Sequence, residues 1–126
     1  MNKQGIISRL KDFPYSRDAY WVITGSAMVL YGIRGETHDI DIGCTSVMAD
    51  KLEREGYPYK LTESGNRRFK YGDDIEIFEN WICGSIDYVE NIPVISIDGL
   101  VKMKQELGRE KDLKDIALIK AFTDSL

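Results

Sequence analysis

Two short groups of residues in the first third of the chain have types and spacing that suit chemistry. Gly25-Ser26 is followed, after twelve intervening residues, by Asp39-Ile40-Asp41. On a β-strand, residues two apart project from the same face, so Asp39 and Asp41 would point together. Carboxylates held that close repel each other unless a cation or protons lie between them. Oxygen donors suit Mg²⁺ or Mn²⁺, and Mg²⁺ commonly takes one or two protein carboxylates and fills its remaining positions with water and substrate phosphates. A glycine-serine turn supplies the complementary half. Glycine lets the backbone approach a bulky anion, and free N–H groups at a helix N-terminus attract phosphate oxygens. The Ser26 hydroxyl adds a donor.

The elements around these residues must place them on one site. Tyr20 to Thr24 is a short apolar run that reads as a buried strand. Ser26 to Ile33 fits a short helix with Ser26 near its N-terminus, and Gly32 and Gly35 supply the following loop. Thr37 to Cys44 alternates, with Asp39 and Asp41 on one face and Ile40 and Ile42 on the other. A helix is predicted over 3–12, ending before Pro14, and another over 46–56, closed by Gly56. Strands follow at Tyr57–Thr62, Arg67–Tyr71 and Asp74–Phe78, the last two joined through Gly72-Asp73. The segment from Glu79 to Asn91 has no clear periodicity. Beyond Pro93, helices are expected at Ile97–Leu107 and Glu110–Phe122. Alternating strands and helices, then a hairpin, then terminal helices indicate an α/β (α+β) fold: a small mixed sheet flanked by helices.

Bulk properties narrow the function classes. A chain of 126 residues is one domain by size, covering 1–126. With 43% apolar and 30% charged residues it is composed as a folded protein rather than a disordered one. A net charge of −4 argues against a domain built to coat nucleic acid, but not against a nucleotide substrate whose metal offsets the local charge. One histidine and two cysteines, Cys44 and Cys83, leave no zinc-like spacing. The N-terminus lacks the apolar run of a signal peptide, and no stretch approaches membrane-spanning length. The expectation is a cytoplasmic protein with reduced thiols and no membrane partner.

Gly25-Ser26 followed by Asp39-Ile40-Asp41 resembles the signature of the nucleotidyltransferase superfamily, which has the DNA polymerase β-like fold. Gly32, Arg34 and Thr37 resemble the smaller stand-alone members. The C-terminal run Leu100, Lys104, Arg109, Lys111-Asp112, Asp115-Ile116 is similar to the tail of abortive-infection-type nucleotidyltransferases, which include toxin components of toxin–antitoxin systems. The resemblance spans about residues 20–120. It implies Mg²⁺-dependent transfer of a nucleoside monophosphate from a nucleoside triphosphate to a hydroxyl, with release of pyrophosphate. Gly25 and Ser26 would then hold the triphosphate, and Asp39 and Asp41 the metal. A third carboxylate is expected on a later central strand. There this chain offers Glu76 where the family usually has aspartate, with Asp74 as the substitute and Asp87 as a third candidate.

Other residues have two readings. Arg68, within the basic group Arg67, Arg68 and Lys70, could contact a triphosphate or lie on a solvated strand. Lys104 could reach phosphate or pair with Asp112 and Asp115 as part of the architecture. His38 should point away from Asp39. Trp21, Tyr31, Phe69, Phe78 and Trp81 read as core or interface residues, one of which could stack on a base. The acceptor implied is a small molecule, a protein hydroxyl or a tRNA end. The small size suggests that a dimer or a partner protein completes the cleft. The alternative is a degenerate module that binds a nucleotide or a partner without turnover.

Overall fold

The strand that carries Asp41 runs through the middle of the sheet. In the computed structural model, which describes residues 1–126, seven strands lie in the order β3-β4-β5-β2-β1-β7-β6. In chain order the elements are α1 (Lys3–Lys11), β1 (Tyr20–Ile23), α2 (Thr24–Tyr31), β2 (Ile40–Cys44) and α3 (Ser46–Arg54). There follow β3 (Tyr59–Leu61), β4 (Arg67–Tyr71), β5 (Ile75–Glu79), β6 (Ile86–Val89) and β7 (Ile92–Ile95). Two helices, α4 (Ile97–Leu107) and α5 (Glu110–Asp124), close the chain. No helix is long and apolar enough to cross a membrane.

The sheet is mixed, as the sequence predicts. β2 pairs antiparallel with β1 and parallel with β5, and β1 pairs parallel with β7. The remaining pairs, β3–β4, β4–β5 and β6–β7, are antiparallel. Alternation along β2 divides the two faces. Ile40, Ile42 and Cys44 are fully buried and join Val22, Ile75, Ile77 and Phe69 in the core. Asp41 and Gly43 face the other way. Both long edges of β2 are paired, so Asp41 lies on an interior strand of the sheet.

Local chemistry explains the element ends. Asn2 caps α1 by accepting from the Gly5 N–H, and Thr45 and Ser96 cap α3 and α4 in the same way. Gly32, at φ +83°, ends α2 in the left-handed conformation, with its N–H turned back to Met28 and Val29. The predicted strand at 37–44 begins only at Ile40, because the preceding loop is bonded to other partners. The Thr37 N–H donates to the Met1 carbonyl, and the Asp39 carbonyl accepts from Ser26.

The segment without clear periodicity holds the largest departure from the sequence reading. Residues 86–95 form a hairpin, β6–β7, around Glu90-Asn91, both at positive φ. That pair is the signature of a type I′ turn without the usual glycine. Pro93 stands within β7, where a proline cannot donate to the ladder. It pairs with Tyr88, one step beyond the Val89–Ile92 pair that closes the two-residue turn. Hydrogen-bonded and non-bonded pairs alternate along an antiparallel ladder, so the proline falls where no N–H is needed toward β6.

Candidate functional site

A cleft of about 470 Å³ opens on the Asp41 face of the sheet. Its floor is β2 and β5. Their parallel register sets Asp41 directly beside Glu76, with Gly43 beside Phe78. The third-carboxylate position predicted from sequence is therefore next to Asp41, on the neighbouring strand. Asp74 and Asp87 are placed elsewhere. Asp74 precedes β5 and takes a two-pronged ion pair from Arg9 of α1, at 2.8 and 3.3 Å. Asp87 lies exposed on β6, separated from β2 by β1 and β7.

Asp41 is half-buried, and burial pushes its carboxyl above the ordinary carboxylate range. The Thr24 hydroxyl, donating to Oδ2 at 2.6 Å, works in the opposite direction. The charges of Glu76 and Asp39 add to the rise, and Arg68 opposes it. Thr24 reaches Asp41 from the β1–α2 turn, where it takes φ +54°, a costly conformation for a β-branched residue. Asp39 precedes the strand, is exposed, and does not line the cleft. Glu76 is bound by Arg68 at 2.7 Å, and the Arg68 guanidinium also lies over the Phe78 ring. No group of three or more Asp, Glu, His or Cys side chains is arranged to hold a metal.

Ser26 has a different position from the one expected. It is buried, its hydroxyl donating to the Asp39 carbonyl at 2.9 Å and accepting from the Asp41 N–H at 3.0 Å. It thus ties α2 to the start of β2. No side chain caps α2, so the first N–H groups of that helix have no side-chain acceptor. Gly25 lines the cleft at this end. A Cβ there would stand 2.7 Å from an Arg34 guanidinium nitrogen, so the glycine is what lets Arg34 close over the helix terminus.

The opposite wall comes from the terminal helices. Asp115 joins Arg34, at 2.5 Å, to the buried Lys104, at 3.0 Å. Lys104 also reaches Asp112 at 3.5 Å, and Asp112 takes Arg109 at 2.6 Å. Lys104 is therefore engaged in the architectural pairing. Three cations against two carboxylates leave this network one charge positive, and Lys111 adds an unpaired lysine at the same wall. The Arg109 guanidinium holds the Asp112 carboxyl below its ordinary range.

Phe78 and Trp81, edge to face at 5.1 Å, complete the cleft. Behind them the Trp21 indole N–H donates to the Trp81 carbonyl at 2.8 Å, directly over Gly43. Arg67, by contrast, lies on the core side of the sheet, with Glu79, Asp50 and Glu53 as partners. His38 is exposed. Sequence reasoning missed Thr24 and the Arg34–Asp115 bridge. The strained turn gives no signal in residue type, and the bridge joins positions 81 apart.

No family model matches the chain, and no curated protein matches it. Two solved structures align with nearly all of it. One is TM1012 of Thermotoga maritima, whose assignment as a nucleotidyltransferase is provisional. It is 19% identical, with a TM-score of 0.59, over 96% of this chain and 90% of that one. The other is the lincosamide antibiotic adenylyltransferase LnuA with lincomycin bound. It is 17% identical, with a TM-score of 0.51, over 93% of each chain. The fold is that of the nucleotidyltransferases.

Proposed function

We propose that this chain transfers a nucleoside monophosphate from a nucleoside triphosphate to a hydroxyl acceptor, releasing pyrophosphate. The observation that carries the reading is the polarity of the cleft. Asp41 and Glu76 form one side, and an uncapped helix N-terminus with Arg34, Arg109 and Lys111 forms the other. A triphosphate with a divalent cation has this same division of charge. The phosphates match the N–H groups and guanidinium groups, and the cation matches the carboxylates.

The donor set fits such an ion. Asp41 is a desolvated carboxylate with other carboxylate charges acting on it and one hydroxyl donor for relief, a place short of positive charge. Asp41, with Glu76 once Arg68 releases it, would hold Mg²⁺ or Mn²⁺ alongside substrate phosphates, and Asp39, outside the cleft lining, would add only its charge from the loop before β2. The ion supplies neutralisation of the charge that builds on the phosphoryl oxygens. The chain's own residues do the rest. Gly25 and the first turn of α2 admit the triphosphate, Arg34 holds it at a fixed angle because Asp115 holds Arg34, and Phe78 and Trp81 offer a face for the base. Glu76 stands where it can take the acceptor proton. Positioning and electrostatics then account for most of the rate.

A triphosphate labelled at the α-phosphate tests this. Label should appear on an acceptor only with a divalent cation, and Asp41→Ala should lower the rate at least about a hundredfold while the protein stays folded. Normal turnover by folded Asp41→Ala would refute the reading. A second reading, binding without turnover, is favoured by the Arg68–Glu76 ion pair. It predicts tight triphosphate binding with no pyrophosphate release for any acceptor. Membership of a toxin–antitoxin pair rests on the similarity of the C-terminal run. Co-purification with a partner encoded beside it would test that placement.

A further inference from the structure

A second depression, also about 470 Å³, lies on the same face of the sheet over β3 and β4. It shares Arg68 and Glu76 with the nucleotide cleft, so the two hollows meet at that ion pair. The register brings Lys60 directly opposite Arg68, and Lys70 opposite Glu76. Like charges opposed across neighbouring strands destabilise a sheet. Neither Lys60 nor Lys70 has an ion-pair partner, and Arg68 has only Glu76. Elsewhere on β4 the chain neutralises its cation fully, because Arg67 meets three carboxylates on the core side. The uncompensated cluster is thus confined to the face that adjoins Glu76.

We infer that this depression is the acceptor site, and that it takes a small hydroxyl compound carrying a phosphate group. The inference rests on the transferase reading of the adjoining cleft. Lys60, Arg68 and Lys70 would bind the phosphate, which leaves the acceptor hydroxyl at Glu76, between the two hollows. In the reaction the acceptor oxygen bonds to the α-phosphorus as the bond from that phosphorus to the bridging oxygen breaks. Pyrophosphate leaves with the electron pair, and the hydroxyl proton passes to the Glu76 carboxylate. Engagement of Arg68 by the acceptor's phosphate frees Glu76 for that role. The ion pair then acts as a latch that the correct acceptor opens.

Matched acceptors test the proposal: ribose 5-phosphate against ribose, glycerol 3-phosphate against glycerol, and a short oligoribonucleotide with a free 3′ hydroxyl. With an α-labelled triphosphate and Mg²⁺, the phosphorylated compound of each small pair should be labelled at least about tenfold faster than its neutral partner. The double variant Lys60→Gln/Lys70→Gln should raise the acceptor KM about tenfold while triphosphate affinity stays within about twofold. Equal labelling of the neutral compounds, or an unchanged acceptor KM, would overturn the proposal. So would labelling of the oligoribonucleotide alone. A nuclear magnetic resonance titration with ribose 5-phosphate, without nucleotide, reads the depression separately. Shifts at Lys60, Arg68 and Lys70 are expected, and their absence overturns the assignment. If those shifts occur but no triphosphate binds, the reading of the cleft fails and the anion site stands.

Discussion

At Asp41, burial opposes the ionised form that the proposed metal-assisted transfer requires. Between the ordinary carboxylate value of 3.8 and its raised folded value, the native chain keeps a proton that the unfolded chain has released. The native state then binds more protons, so this group's contribution to stability falls as pH rises through that window. Asp41→Asn should remove this fall, making stability less dependent on pH above 3.8 in denaturant titrations, while activity is lost. A cation at Asp41 must displace that proton, so metal affinity of the wild-type protein should rise with pH over the same window. Thr24 has the opposite influence, since its hydroxyl favours the carboxylate. Thr24→Val keeps the branched shape and removes the donor, and should cost about 1–3 kcal/mol by urea unfolding. The sequence makes Asp41 legible because alternation along β2 is a local pattern. It conceals Thr24, whose role depends on a left-handed turn that its residue type disfavours.

At the scale of elements, two ion-pair groups brace the sheet and the terminal helices. Arg67 joins β4 to α3 and to Glu79 on β5, and it holds the Glu79 carboxyl down at about 2. The stability this contributes is present above the unfolded value of 4.5 and lost as pH falls toward about 2, opposite in sign to Asp41. Arg67→Met leaves Glu79 buried without its partner and should cost about 3–5 kcal/mol in denaturant unfolding. The β6–β7 hairpin offers a gain instead. Replacing Glu90 by asparagine suits its left-handed φ and should raise stability by about 0.5–1 kcal/mol, measured as a higher melting temperature. The predicted α4 matches the observed helix end to end, because Ser96 and Gly108 punctuate an amphipathic run. The hairpin was illegible for the converse reason: Pro93 and a glycine-free turn speak against strands until register shows that each falls where it is tolerated.

Across the whole molecule, a chain with net charge −4 presents a locally cationic wall, because α4 and α5 bring Lys104, Arg109 and Lys111 to Arg34. Asp115 is the hinge of that arrangement. Asp115→Ala should cost about 3 kcal/mol by leaving Lys104 buried with one partner. It should also weaken triphosphate binding, read by calorimetry, by releasing Arg34. Motif spacing brought Gly25 and Asp41 to one cleft but left Ser26 and Asp39 outside its lining. The opposite wall was not legible in the sequence, since it depends on side chains that meet only after the sheet and both terminal helices have packed. The Trp21–Trp81 contact over Gly43 has a practical consequence of its own. These are the only two tryptophans, and one lines the cleft while the other donates to its carbonyl. Nearly all the intrinsic ultraviolet emission of the protein therefore originates beside the site. A purine or pyrimidine against Trp81 would quench it, so occupancy could be followed optically without attaching a label.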